Sequence, residues 1–327
     1  MKSRYLLLLT LVLFSIWDAG LVAPQYTQAA ASQGCDQPGW FPTKFGLKDH
    51  AVFWYKGDYY IISTYVSPED PSPILQDRFV YARSKDLCNW EELSPVLAER
   101  TPGAWDEAAI WAPFVFYEDG VYFLYYTGVT QTWTQSIMLA TSTNPSDPHS
   151  WARRGMIFQP SHTDAIWEIN QFADCRDPFV FKLGEVYYLY YTGRDEQGGI
   201  VGLASAPTPL GPWTDEGSII PPLAEEAPES PFLVNYRNRY YLFYNLSHEG
   251  EYYRVSERND DGFGEATSFM PGWAHEIWQS LEGDWFTSYL TDYSVTINRL
   301  VWVENNPPQP VIQWVRLKLY LPLIEDE

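Results

Sequence analysis

A hairpin written twice in nearly the same letters constrains this chain more than any other feature. Phe114 to Gly128 reads Phe-Val-Phe-Tyr-Glu-Asp-Gly-Val-Tyr-Phe-Leu-Tyr-Tyr-Thr-Gly, and Phe179 to Gly193 reads Phe-Val-Phe-Lys-Leu-Gly-Glu-Val-Tyr-Tyr-Leu-Tyr-Tyr-Thr-Gly. Each is a short apolar strand, a Gly-bearing turn and a second, aromatic-rich strand. Weaker versions run over Val52 to Tyr65, Phe232 to Ser247 and Ile277 to Leu290. Matched on Tyr59, Tyr122, Tyr187, Tyr240 and Trp285, the copies are 63, 65, 53 and 45 residues apart. Strand-only repeats of this length predict propeller blades, each with four strands. Five copies predict an all-β, five-bladed β-propeller with antiparallel blades around a central channel.

The repeats fill residues 45–327, so that span is read as one domain, preceded by an irregular segment over 32–44. Aromatic residues make up 17% of the chain, and most are expected between blades, where two sheets face each other and rings fill the wedge. Trp90, Trp151 and Trp213, each following a third strand and a turn, are read as anchors of the outer strands. Residues 1–31 read as a secretory signal: Lys2 and Arg4, then the apolar run Leu6 to Trp17, then the small residues Ala29-Ala30-Ala31. The mature chain is therefore expected to be secreted or periplasmic and, as a single domain, monomeric. A formal net charge of −21 repels phosphate backbones and anionic lipid, which argues against nucleic-acid or membrane partners. Cys35, Cys88 and Cys175 form no zinc-like spacing; one pair could bridge in an oxidising compartment.

The chemistry is expected just before the first strands. Counted back from the hairpin turns at Gly57, Gly120, Gly184, Asn238 and Gly283, the residues seven to nine positions away are Asp49, Trp111, Asp177, Glu229 and His275. The first strand of a blade is innermost, so these residues should gather at one mouth of the channel. Each alone has an ordinary explanation: Asp49 as a turn former, Asp177 as an ion-pair partner of Arg176, Glu229 as part of an acidic loop. Convergence from widely separated blades favours a site. Carboxylates gathered without a basic cluster suit acid/base chemistry or a metal, and glycoside hydrolysis needs two of them flanking a bond.

The triplets Trp111-Ala112-Pro113, Arg176-Asp177-Pro178 and Glu229-Ser230-Pro231, with third strands such as Ala82-Arg83-Ser84-Lys85-Asp86-Leu87, resemble the five-bladed propeller glycosidases of glycoside hydrolase family 43 and its relative, family 32. The resemblance covers residues 45–303. It implies an Asp general base at Asp49 (a nucleophile in a family-32-like site), a pKa-modulating, orienting Asp at Asp177 and a Glu general acid at Glu229. It also implies substrate contacts from His50, Trp111, Arg176 and His275. The substrate class it implies is a poly- or oligosaccharide, pentose-containing of the arabinan or xylan type. No cofactor is required, although His275 resembles a family His beside a channel calcium ion. The chain departs from the family at Lys48-Asp49-His50, where Asp-Pro is usual; the departure leaves a non-catalytic sugar-binding propeller as the second expectation.

Overall fold

Antiparallel sheets form wherever the hairpin repeat predicts one. The computed structural model describes residues 37–313 apart from 225, 247–249, 271 and 281. A short strand, β1 (Gly39–Trp40), precedes blade one, which comprises β2 (Gly46–Tyr55), β3 (Asp58–Val66), β4 (Phe79–Ser84) and β5 (Trp90–Val96). Blade two is β6 (Ala109–Glu118), β7 (Val121–Val129), β8 (Gln135–Ser142) and β9 (Ala152–Phe158). Blade three is β10 (Cys175–Leu183), β11 (Val186–Asp195), β12 (Gly198–Ala206) and β13 (Thr214–Ser218). Blade four is β14 (Glu229–Tyr236), β15 (Arg239–Leu246), β16 (Gly250–Ser256) and β17 (Thr267–Met270).

Blade five is β18 (Trp273–Gln279), β19 (Trp285–Thr291) and β20 (Ser294–Val303), with β21 (Gln309–Gln313) on its outer edge. That edge is shared with the start of the chain, because Gly39 and Trp40 pair with Thr296 and Val295 while β21 pairs with Arg299 to Val303. Part of the segment read as irregular is thus a strand that closes the ring. The segment read as a secretion signal and Cys35 lie outside the described residues. Cys88 is disulfide-bonded, and Cys175 is a free, fully buried thiol.

The aromatic content goes into the seams. Phe53, Tyr60 and Tyr81 of blade one pack with Tyr122, Leu124 and Trp151 of blade two, and each of the other four seams has its own apolar cluster. Tyrosine serves here because its ring fills the wedge while its hydroxyl finds a partner at the tip. Tyr81, Tyr125, Tyr190 and Tyr241 donate to the carbonyls of Pro145, Pro209, Asn259 and Pro308 at 2.6–2.8 Å, each reaching the outer part of the next blade. The structure therefore clasps each of blades one to four to its successor, and β1 fastens the fifth to the first.

Candidate active site

One backbone device repeats five times. The pairing of each first strand with its neighbour shifts by one residue, between Lys48 and His50, Trp111 and Phe114, Arg176 and Phe179, Glu229 and Phe232, and Trp273 and Glu276. At each bulge one non-glycine residue has positive φ: Asp49 (39°), Ala112 (46°), Asp177 (56°), Ser230 (51°) and Ala274 (51°). Such conformations carry strain and persist where the surroundings hold them. Side chains on successive strand residues normally face opposite ways. The bulge re-aims one of them, so that Lys48 with Asp49, Arg176 with Asp177 and Glu229 with Ser230 line the same cavity.

The bulge ring corrects the equivalence read from the sequence. Trp111 and Glu229 precede the bulge residue by one, and His275 follows it by one. The bulge residue lies seven positions before the first turn residue of its hairpin, Lys56, Asp119, Gly184 or Arg237, in blades one to four. Counting from the turn glycine misses this, because Gly184 comes first in its turn whereas Gly57 and Gly120 come second.

Neighbouring blades hold the bulges in place. The Asp177 N–H donates to Thr127 Oγ1 (3.0 Å), the Ala112 N–H to Thr64 Oγ1 (3.1 Å) and the Ala274 N–H to Asn245 Oδ1 (3.4 Å). In blade four Asp177 itself is the holder: its Oδ2 accepts the Ser230 N–H (2.9 Å) and the Thr192 hydroxyl (3.0 Å). Asp177 thereby fixes the backbone that carries Glu229.

Four of the bulges open into a chamber of about 250 Å³ lined by Lys48, Asp49, Trp111, Arg176, Asp177, Glu229 and Ser230 from the first strands of blades one to four, together with Gln135 at the start of β8 and Pro73, Trp133 and Phe172 from connections. Five of the seven predicted site residues, Asp49, Trp111, Arg176, Asp177 and Glu229, meet here. His50 and His275 do not line the chamber; they follow their bulges and lie beneath it in a narrow axial channel with Pro113, Pro178 and Pro231. Each ring has one nitrogen engaged. His50 Nε2 is 2.7 Å from Ser288 Oγ, and His275 stacks on Tyr289 at 4.7 Å with its Nδ1 3.2 Å from Thr287 Oγ1. Burial lowers the pKa of both to about 3, so they stay neutral.

Arg176 is the electrostatic centre. It is only 12% exposed and its guanidinium bonds Asp174 and, at 2.9 Å, Glu229 Oε1, with Asp177 Oδ2 3.7 Å from its Nε. The planar fork can serve several oxygens at once, which a lysine cannot. Asp174, also paired with Arg194 at 3.0 Å, stands two residues before Arg176 and outside the triplets that mark the site in the sequence. Burial raises the carboxyl of Asp49 from 3.8 to about 7; Lys48 opposes the rise, and Asp177 and Glu229 add to it. Burial also raises Asp177, against the pull of Arg176.

Calcium takes six to eight oxygen ligands. His275 Nε2 is a buried atom without a partner, but its ring is flanked by Phe269 and Tyr289. Among the described residues no group of three or more His, Cys, Asp or Glu side chains converges to hold a metal.

The class defined by this fold and site is a five-bladed propeller with a carboxylate-lined chamber on its axis. Within that class, the resemblance to family 43 is borne out: the model of "Glycosyl hydrolases family 43" matches residues 43–181. A probable arabinan endo-1,5-alpha-L-arabinosidase B of Aspergillus fumigatus is 29% identical over 131 residues, 38% of this chain and 30% of that protein. The chain thus spans less than a third of that relative's length. Among solved structures, an exo-1,5-alpha-L-arabinanase from a bovine ruminal metagenomic library shares the fold at TM-score 0.62 and 18% identity, covering 84% of this chain and 99% of the other. A fructan 1-exohydrolase IIa from Cichorium intybus does so at TM-score 0.66 and 17% identity, covering 85% and 60%.

Proposed function

We propose that the protein is a glycoside hydrolase, exported from the cytoplasm, that cleaves arabinan-type poly- or oligosaccharides with inversion at the anomeric carbon. The observation that carries this reading is the chamber itself, in which Asp49, Asp177 and Glu229 from three blades meet beside the rings of Trp111, Trp133 and Phe172. The partial match to arabinosidases supports the choice of sugar.

Glu229 is the general acid. Its Oε1 accepts from Arg176, which leaves Oε2 for the glycosidic oxygen, and its side chain is 37% exposed. Asp49 is the general base, removing a proton from the water that attacks the opposite face of the sugar ring. Inverting hydrolysis needs the two carboxyls roughly 6.5–9.5 Å apart to admit that water. A base near pKa 7 is a stronger proton acceptor than an ordinary aspartate, and it must be ionised to act. The acidic limb of kcat/KM should therefore fall near pH 7. Asp177 orients the Glu229 strand tip through its bond to the Ser230 N–H.

The test is hydrolysis of linear 1,5-α-L-arabino-oligosaccharides, with the first-formed anomer followed by NMR and arabinan, xylan and fructan compared as substrates. Inverted product from arabinan supports the reading; retained product would favour a family-32-like nucleophilic Asp49. Lys48 beside Asp49 motivates a second reading, a propeller that binds sugar without turnover. Tight binding without hydrolysis, unchanged in Asp49→Asn, would support it.

A further inference from the structure

Five residues stand at the register position before the bulges: Lys48, Trp111, Arg176 and Glu229, which line the chamber, and Trp273, which the same register places at the mouth of blade five. Three of them are committed to the protein. Trp111 donates its indole N–H to Pro73 O at 3.1 Å and stands 6.1 Å from the Trp133 ring, while Arg176 and Glu229 bond each other at 2.9 Å. Trp273 is different: it is 50% exposed, although tryptophan is the largest ring the chain could bury. By blade order it stands between Glu229 of blade four and Lys48 of blade one.

The local chain is built to put it there. Gly272 has φ +127°, and a Cβ at that position would stand 2.9 Å from the Tyr289 ring and 3.1 Å from His275 Nε2. Only glycine lets the backbone pass this close, and the next residue is Trp273 at the mouth of blade five. A second exposed ring is carried by the turn that follows Leu290, the residue paired with Trp273. Tyr293, 58% exposed, occupies the turn between β19 and β20, and its carbonyl accepts the Leu47 N–H at 2.7 Å, which ties the turn over the start of blade one.

We propose that Trp273, with Tyr293 at the same end of blade five, is the platform for the sugar residue on the leaving-group side of the scissile bond, and so makes the enzyme selective for chains over short glycosides. The inference rests on the assignment of Glu229 as general acid. The leaving oxygen sits at the acid, so the next sugar extends toward the register position beside Glu229 that is not occupied by Arg176, and that position is Trp273. Pyranose and furanose rings present apolar C–H faces that stack on an aromatic plane, and a half-exposed indole offers one without rearrangement.

The experiment compares wild type with Trp273→Ala, Trp273→Tyr and Tyr293→Ala on two substrates, 1,5-α-L-arabinotetraose and an aryl α-L-arabinofuranoside, whose leaving group is one small ring. Trp273→Ala should lower kcat/KM on the tetraose about tenfold, mainly through KM, and change it less than about twofold on the aryl glycoside. Trp273→Tyr should recover most of the loss, and Tyr293→Ala should weaken the tetraose by a smaller factor. Equal losses on both substrates, or none on either, would overturn the proposal. If wild type turns over neither substrate, the hydrolase reading fails on its own, and titration calorimetry with the tetraose decides the platform. About tenfold weaker binding by Trp273→Ala would then support it, and unchanged affinity would overturn it.

Discussion

Replacing Asp49 with Asn isolates the charge that the chamber holds at greatest cost. Asn is the right substitute because it keeps the shape and tolerates the φ of 39° better than Ala would. In the folded protein the carboxyl titrates at about 7 instead of 3.8. The native state therefore binds this proton more tightly than the unfolded chain does. The contribution to stability is full below about pH 4 and is lost as pH rises through about 7. A rise of about three in pKa, at about 1.4 kcal/mol each, puts the whole effect at roughly 4 kcal/mol. About two-thirds of that falls between pH 5 and pH 8.5, and partial solvent access at the chamber floor reduces it to about 1–3 kcal/mol. Urea unfolding of both proteins at pH 5 and pH 8.5 measures it directly. The Asn variant should gain that much more stability, relative to wild type, at pH 8.5 than at pH 5. Other buried carboxyls such as Glu276, raised by burial to about 8, cancel in the comparison. A gain of the same size at both pH values would refute the reasoning, since Asp49 would then titrate as an ordinary surface carboxyl.

The remaining predictions concern the same chamber. Glu229→Gln should lower kcat on unactivated substrates by about 10²–10⁴-fold while leaving the thermal unfolding midpoint nearly unchanged. Arg176→Lys keeps the charge but not the fork that joins Asp174 and Glu229, so kcat/KM should fall at least about tenfold, roughly 1.4 kcal/mol, with raised KM; unchanged kinetics would make the arginine merely a counter-charge. Asp177→Asn should move the limbs of the pH–rate profile, because one like charge beside Asp49 and Glu229 is removed. Thr127→Val leaves the buried Asp177 N–H without its acceptor, which should cost about 1–3 kcal/mol in chemical denaturation and lower kcat through the displaced carboxylate.

The architecture was legible because its unit is local. Two-residue turns and Tyr-rich second strands recur in four hairpins, and Asp49, Arg176, Asp177 and Glu229 sit at their mouths within a few residues of the repeat. What could not be read depends on long-range placement. Asp174, Trp133 and Phe172 come from connections with no strand period, so only the folded ring brings Trp133 and Phe172 to the chamber wall. Gly39–Trp40 is too short to carry any alternation, and its partner strand lies more than 250 residues further on. His50 and His275 lie in the channel and not the chamber, since a one-residue bulge is invisible in a strand pattern yet decides which of the two a side chain meets.

The five bulges also bear on how such a scaffold can change its chemistry. Each is a backbone socket held mostly by its neighbours, and its shape persists whether the occupant is an acid, a hydroxyl or a methyl. Asp49 and Asp177 fill two sockets with carboxylates, while Ala112 and Ala274 fill two others with the smallest chiral side chain. Aspartate and asparagine adopt this left-handed conformation more readily than alanine. New polar groups could therefore be installed at those two addresses without moving any strand, and the ring could acquire a different reaction by exchanging single residues on a frame that stays fixed.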